Sequence, residues 1–290
     1  SSATARWVAW PRTGPELRSS PLDVGRRLTE GLFSRGIPAI LTSATLSSGD
    51  GLKDFKARVG LPEARELILD SPYDYSVQAA LWCVEGIPDP KDEEAHAQAV
   101  TRACVDIVAR VPGGVFLLFS SWRLLKKVHG LLRKEIKNRP VWAQGGSGHE
   151  ALLREFEAAG DAVLLGVDTF WQGIDVPGEA LSCVVMVKLP FSNVSSALEE
   201  ARRRWLEENG REYFRDWSLP KAVMKFRQGF GRLIRSSTDR GAVICLDSRV
   251  LKKGYGKAFL ESLPPCKKIK SLEELSDFFK ITPLRAQGEG

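Results

Sequence analysis

Two arginines three residues apart, Arg232 and Arg235 in "QGFGRLIRS" (228–236), are the side chains of this sequence best suited to hold a multivalent anion. A guanidinium is a planar fork that pairs with phosphate oxygens at two points, and a small residue beside it lets such an anion approach the backbone. Placed on a helix at about 100° per residue, Gln228, Gly231, Arg232 and Arg235 share one face, and Phe230, Leu233 and Ile234 share the opposite one. Extended backwards, the pattern adds Lys221 and Lys225 to the polar face and Ala222, Val223 and Phe226 to the apolar one. With Pro220 in the first turn, it predicts one amphipathic helix over 219–235. Glycine inside a helix costs roughly 0.5–1 kcal/mol relative to alanine, so Gly229 and Gly231 weaken the element unless something uses the room. A solvated basic face is the plain alternative; the paired glycines and Gln228 favour the anion.

Three other stretches end apolar runs in small or hydroxyl residues. They are "LTSATLS" (41–47), "FLLFSSW" (116–122) and "LLGVDTFWQGIDVPG" (164–178). In open parallel sheets, ligands bind beyond the carboxyl ends of strands, where these three loops are expected. The sheet itself is read from apolar runs bounded by turn residues at 39–45, 115–121, 162–168, 183–189 and 241–247, with a further strand expected at "ARWVAW" (5–10). Helical periodicity falls between them at about 22–34, 94–110, 122–136, 149–158, 196–209 and 219–235. Strands alternating with helices imply an α/β fold whose parallel sheet carries helices on both faces. In the helix over 196–209, Ser196 and Glu199 have capping-box spacing, Asn209-Gly210 is a stop, and Arg202-Arg203-Arg204 reads as a solvated surface run.

The chain has 290 residues, of which 43% are hydrophobic, enough for one large domain or two smaller ones. A net charge of +6 is mild evidence for a polyanionic partner and equally serves solubility. The five cysteines are widely spaced without a C-x-x-C pair, which argues against zinc, iron–sulfur and disulfide frameworks and for small buried residues in a reducing compartment. No apolar stretch approaches the roughly 20 residues that span a bilayer, and a cytoplasmic location is expected.

"LTSATL", "FSSW", "VDTFWQGIDVPG" and "QGFGRLIR", in this order, resemble motifs III, IV, V and VI of superfamily 2 helicases, specifically the DinG-like, XPD-related DNA helicases. "PLDVG" (21–25) and "SPYDY" (71–75) are similar to connecting sequences of that family, and the resemblance covers roughly residues 5–265. It implies two RecA-like motor domains that clamp ATP and Mg²⁺ between them and translocate 5′ to 3′ on single-stranded DNA. On that pattern residues 1–70 close the first motor domain, 71–270 form the second, and 271–290 are a C-terminal helix and tail. The partners implied are single-stranded DNA and the N-terminal motor domain, with no membrane.

The resemblance also implies roles. Gln228, Arg232 and Arg235 reach toward the γ-phosphate, with Arg235 the arginine finger and Arg232 its companion. Gly173, Asp175 and Gly231 lie by the nucleotide, and Ser43 and Thr45 couple nucleotide state to the DNA track. Ser120, Ser121 and Thr169 bond DNA phosphates. Trp171 and Phe191 stack on bases or pack in the core, Arg123 is a phosphate contact or surface, and Trp122, opening a helix, is expected buried. There are departures too: no G-x-x-x-x-G-K-[ST] occurs, and "DEEAH" (92–96) follows a Pro-rich loop and reads as an acidic helix start. The family's four-cysteine cluster is likewise not found, so no metal or iron–sulfur cluster is expected in this chain. The chain is therefore expected not to hydrolyse ATP alone. A reading from another class is a non-catalytic nucleic-acid-binding or regulatory module with a motor-like fold.

Overall fold

A computed structural model describes residues 3–11, 13–43, 51–145, 148–167, 180–192, 194 and 196–280. Its elements in chain order begin with β1 (Thr4–Ala9), β2 (Glu16–Pro21), α1 (Val24–Gly31), α2 (Lys53–Val59), α3 (Tyr75–Gln78), β3 (Ala79–Cys83), α4 (Glu93–Val108) and β4 (Val115–Leu118). They continue with α5 (Trp122–Glu135), β5 (Val141–Ala143), α6 (His149–Ala159), β6 (Val163–Gly166), β7 (Cys183–Met186), α7 (Ala197–Glu208) and α8 (Leu219–Phe230). The last are β8 (Gly241–Cys245), α9 (Arg249–Lys252), α10 (Gly256–Glu261), β9 (Lys267–Lys268) and α11 (Leu272–Lys280). By contacts the chain divides into two units, Ser1–Asp70 with Phe191–Met224, and Ser71–Pro190 with Lys225–Gly290.

In the first unit β1 and β2 form an antiparallel hairpin, with Thr4 opposite Pro21 and Ala9 opposite Glu16. Asp23 caps α1 by accepting the Arg26 amide at 3.0 Å. Helices α1 and α2 meet at glycine: a Cβ on Gly25 would sit 2.8 Å from the Arg58 carbonyl oxygen, so only hydrogen fits. The strand expected over 39–45 does not form in its described part. Residues 37–43 hold no regular structure, and Ile40 is 94% exposed. An apolar strand needs a neighbour to take its backbone N–H and C=O groups, and among the described residues none pairs with it.

Helix α7 starts as its sequence indicates, with the Ser196 hydroxyl accepting the Glu199 amide at 3.2 Å, and stops before Gly210 at φ +69°. The triple-arginine run is not uniformly solvated, however. Arg203 and Arg204 are exposed, but Arg202 is buried and donates to the Leu22 carbonyl at 2.8 Å.

The second unit is built on a sheet of order β5-β6-β4-β7-β8-β3-β9, parallel throughout. Val115 registers with both Val163 and Cys183, and Cys183 with Ala242, so the strands are closely level. Alternation along each central strand feeds two apolar layers. Val115, Leu117, Val185 and Ile244 join Val100 and Ile107 of α4, Val128 of α5 and Phe278 of α11. The alternate residues, such as Phe116 and Val184, are also buried, as are Phe156 of α6, Phe226 of α8 and Phe259 of α10. The expected α/β class and parallel sheet with flanking helices are what the molecule shows.

Candidate functional site

Helix α8 ends at Phe230 and not at 235. On its apolar face Ala222, Phe226 and Phe230 are buried and Val223 is partly so, with the Phe226 ring 5.4 Å from that of Phe259 and the Phe230 ring 5.8 Å from that of Tyr75. Lys225, assigned to the polar face, is buried as well. Beyond the helix the chain turns so that Leu233 can cover the start of β8. A Cβ on Gly241 would meet Leu233 Cδ2 at 2.7 Å, and Leu233 has no exposed surface. Burying a leucine is worth roughly 2–3 kcal/mol, more than the one or two helical hydrogen bonds given up.

Gln228 therefore sits in the last turn of α8, while Gly231, Arg232 and Arg235 lie in the turn that follows. Gln228, Arg232 and Arg235 are partly buried, and Gly231 is exposed. Among the described residues a Cβ on Gly231 would come no nearer than 3.5 Å to a neighbour, the Arg227 carbonyl, so their packing does not demand glycine there.

The arginine turn is gripped from two directions. Asp239, itself buried, accepts the Arg235 amide at 2.7 Å and the Ser236 amide at 2.9 Å on Oδ2, and the Ser236 hydroxyl at 2.8 Å on Oδ1. From the segment ahead of β3, the Tyr73 hydroxyl donates to the Arg235 carbonyl. The Gln78 amide donates to the Ser236 carbonyl at 2.8 Å and the Asp239 carbonyl at 2.9 Å. None of these three was singled out from the sequence. "SPYDY" resembles a connecting sequence, but a contact across 162 positions leaves no local trace.

All of this lies at the amino-terminal rim of the parallel sheet, because residues 231–240 lead into β8 and Tyr75–Gln78 lead into β3. Ser120 and Ser121 follow β4 and lie at the carboxyl-terminal rim. At about 3.3 Å per residue the two rims are separated by roughly 15 Å along the strands, so the arginines and the hydroxyls are not brought together. Ser120 is partly buried; Ser121 caps α5, its hydroxyl facing the Leu124 amide at 3.5 Å. Arg123 is exposed and paired with Glu93 at 3.1 Å. Trp122, expected buried, is 44% exposed at the first position of α5, and its indole lies beside Gly145, where an added Cβ would be 3.5 Å from Cζ3. At the same rim the fully buried Asp247 accepts the Leu189 amide at 2.9 Å and a two-point contact from Arg249, Nε to Oδ1 at 2.8 Å and Nη2 to Oδ2 at 2.6 Å. Burial, then the Arg249 charge, lowers the Lys188 pKa beside it.

In the first unit, Ser43 lies in the irregular, exposed segment, and the Phe191 ring stacks on Phe214 at 5.8 Å. Thr45, Thr169, Trp171, Gly173 and Asp175 lie outside the described residues. "DEEAH" is a helix start as read: Asp92 caps α4 through the Ala95 amide at 3.1 Å. A cleft of about 580 Å³ lined by His129, Arg133, Lys137, Arg139 and Trp142 borders β5; no residue of 228–239 lines it. Among the described residues no helix is long and apolar enough to cross a membrane.

Comparison with known proteins bears on family and fold. The family described as the helicase C-terminal domain matches residues 104–266. An Escherichia coli protein named ATP-dependent DNA helicase YoaA is 34% identical over 93% of this chain, which spans 42% of that protein. A Bacillus subtilis protein named 3′-5′ exonuclease DinG is 33% identical over 89% of this chain, which spans 28% of it. Among solved structures, one titled XPD helicase superposes with a TM-score of 0.64 at 19% identity, over 88% of this chain and 46% of that one. Saccharomyces cerevisiae Dbp5 bound to RNA and ADP BeF3 gives 0.51 at 17% identity, over 89% of this chain and 61% of that one. At such identities these two speak for the fold.

Proposed function

The chain belongs to the helicase C-terminal domain family, as the C-terminal portion of a DinG-like superfamily 2 helicase, and from that premise we propose that it supplies the arginine-bearing wall of an ATP site. The complete protein, on this reading, is an ATP-dependent 5′-to-3′ DNA helicase acting in the cytoplasm. Residues 1–70 close its first motor domain, 71–270 form the second, and 271–290 are a terminal helix and tail.

The observation that carries the proposal is the grouping of Gln228, Arg232 and Arg235 at one end of α8, around a glycine whose room is left unclaimed among the described residues. Two guanidinium groups and a carboxamide form a donor set that fits a polyphosphate. In phosphoryl transfer such arginines stabilise charge on the equatorial oxygens, a contribution worth about 10³–10⁵ in rate. Arg235 is assigned that finger role and Arg232 its companion. Mg²⁺ would be held with the phosphate cradle of the N-terminal motor domain, because the sequence here carries no P-loop. Gly173 and Asp175 are proposed beside the nucleotide, and Ser43 and Thr45 as the coupling pair.

At the other rim, Ser120, Ser121, Thr169 and Arg123 are proposed to meet DNA phosphates, which hold a strand without reading its bases. Trp171 and Phe191 remain candidates for base stacking, at about 1–3 kcal/mol per base. Exposed Ile40, Leu67 and Leu69 support a first unit completed by the rest of its motor domain.

The test is to measure DNA-stimulated ATP hydrolysis by this chain, by the N-terminal motor domain and by the two mixed. Turnover is expected from the mixture alone. In the complete protein, Arg235→Ala should abolish turnover and leave DNA affinity largely intact. Near-normal hydrolysis by that variant would overturn the role given to Arg235.

A further inference from the structure

We propose that Asp239, Tyr73 and Gln78 form a positioning cradle that sets Arg235 for phosphoryl transfer; this rests on the finger reading above. The Arg235 peptide is held on both sides. Its N–H goes to Asp239 Oδ2 and its C=O receives the Tyr73 hydroxyl. The next carbonyl, that of Ser236, receives Gln78, which also reaches the Asp239 carbonyl. A carboxylate accepts from the Arg235 amide, the Ser236 amide and the Ser236 hydroxyl together, whereas a carboxamide in the same place must turn a donor toward one of them.

Charge-assisted bonds to backbone amides in a buried setting are stronger and stiffer than neutral ones. A plain turn would be satisfied by Asp239 alone. Two further side chains, from positions 158 to 162 residues away, converge on the same short loop, and that suits a loop whose backbone position matters. Displacing a reacting group by about 1 Å can lower a rate by about 100-fold, so a cradle of this kind acts on turnover and not on binding.

The experiment uses the complete protein and compares wild type, Asp239→Asn, Tyr73→Phe, Arg235→Lys and the double variants, reading kcat and KM for ATP, affinity for single-stranded DNA and thermal unfolding. Asp239→Asn is expected to lower kcat by about 10- to 100-fold, and Tyr73→Phe by a smaller factor, with KM and DNA affinity within about threefold. In the Arg235→Lys background neither should lower kcat further, since both act through the same residue. Unchanged kcat in a folded variant, or losses that multiply in the doubles, overturns the cradle. Should Asp239→Asn not fold, Tyr73→Phe decides alone by the same criteria. A deficient Arg235→Lys beside a normal Asp239→Asn sinks only the cradle, while normal turnover in Arg235→Lys sinks the finger reading itself.

Discussion

The Arg202 guanidinium lies over the indole of Trp217, its carbon 4.0 Å from the ring centroid, while Nη1 donates to the Leu22 carbonyl at 2.8 Å. A buried cation has lost its water, and the ring face, the carbonyl and the nearby Glu199 charge act in its place. The arginine thus ties α7 to the segment after β2 and to the turn before α8.

Arg202→Ala should destabilise the protein by about 2–3 kcal/mol, through the lost charged hydrogen bond and cation–π contact. Arg203→Ala, on an exposed position, should change stability by less than about 0.5 kcal/mol. Denaturant unfolding of both variants distinguishes this from a uniformly solvated run, in which the two would behave alike.

Glu199 predicts an acid response. Burial pushes its carboxyl up, but Lys221 at 2.8 Å, Tyr213 at 2.7 Å and Trp217 at 3.0 Å donate to it, and the balance holds it below the usual glutamate range. A depressed folded value means stabilisation present above the unfolded glutamate pKa and lost as pH falls through the lower folded one. The difference in unfolding midpoint between wild type and Glu199→Gln should therefore shrink as pH falls below about 4. A constant difference from neutral pH down to acid would contradict the assignment.

Two glycine substitutions should move stability in opposite directions. Gly241→Ala places a methyl group 2.7 Å from Leu233 Cδ2 and 3.1 Å from the Ser182 carbonyl, and should cost about 1–3 kcal/mol by overpacking. Gly130→Ala, within α5 and with nothing inside 4 Å, should stabilise by about 0.5–1 kcal/mol. Thermal unfolding of the two variants checks both signs.

Thiol labelling should follow burial. Cys104, Cys183 and Cys245 are buried with their pKa values pushed up by desolvation, and burial raises Cys83 to about 11. Alkylation of native protein at mildly alkaline pH, read by mass spectrometry, should modify Cys266 first and leave the buried three untouched until unfolding. Early modification of Cys183 would refute that order.

Periodicity in the sequence located most of the second unit. Helices α4, α5 and α6 and strands β4, β6, β7 and β8 fall within a few residues of their apolar patterns, because each buries its own repeat against the sheet. What failed was set by partners far away. The apolar 39–45 run lacks a neighbouring strand in its described part, and β2 was missed because Glu16-Leu-Arg-Ser has no buried face to betray it. Strand β5, with three residues, is too short for alternation to register. Residue type, spacing and the flanking glycines single out the arginine pair in the sequence. Its departure from the helix does not show in helical periodicity, because it follows from Leu233 covering Gly241 and from Asp239, four positions on, taking the Arg235 amide.

The level strands of the sheet have a mechanical side. Interiors packed at crystal density compress little, so the sheet between the Arg235 turn and Ser120 behaves as a stiff plate with one rim at each group. In such a plate a displacement imposed on one rim would be carried to the other by the whole sheet, which requires no side chain in between to switch state. Substitutions that soften the middle, at Leu117 or Val185 for instance, would then degrade transmission while leaving both rims chemically intact.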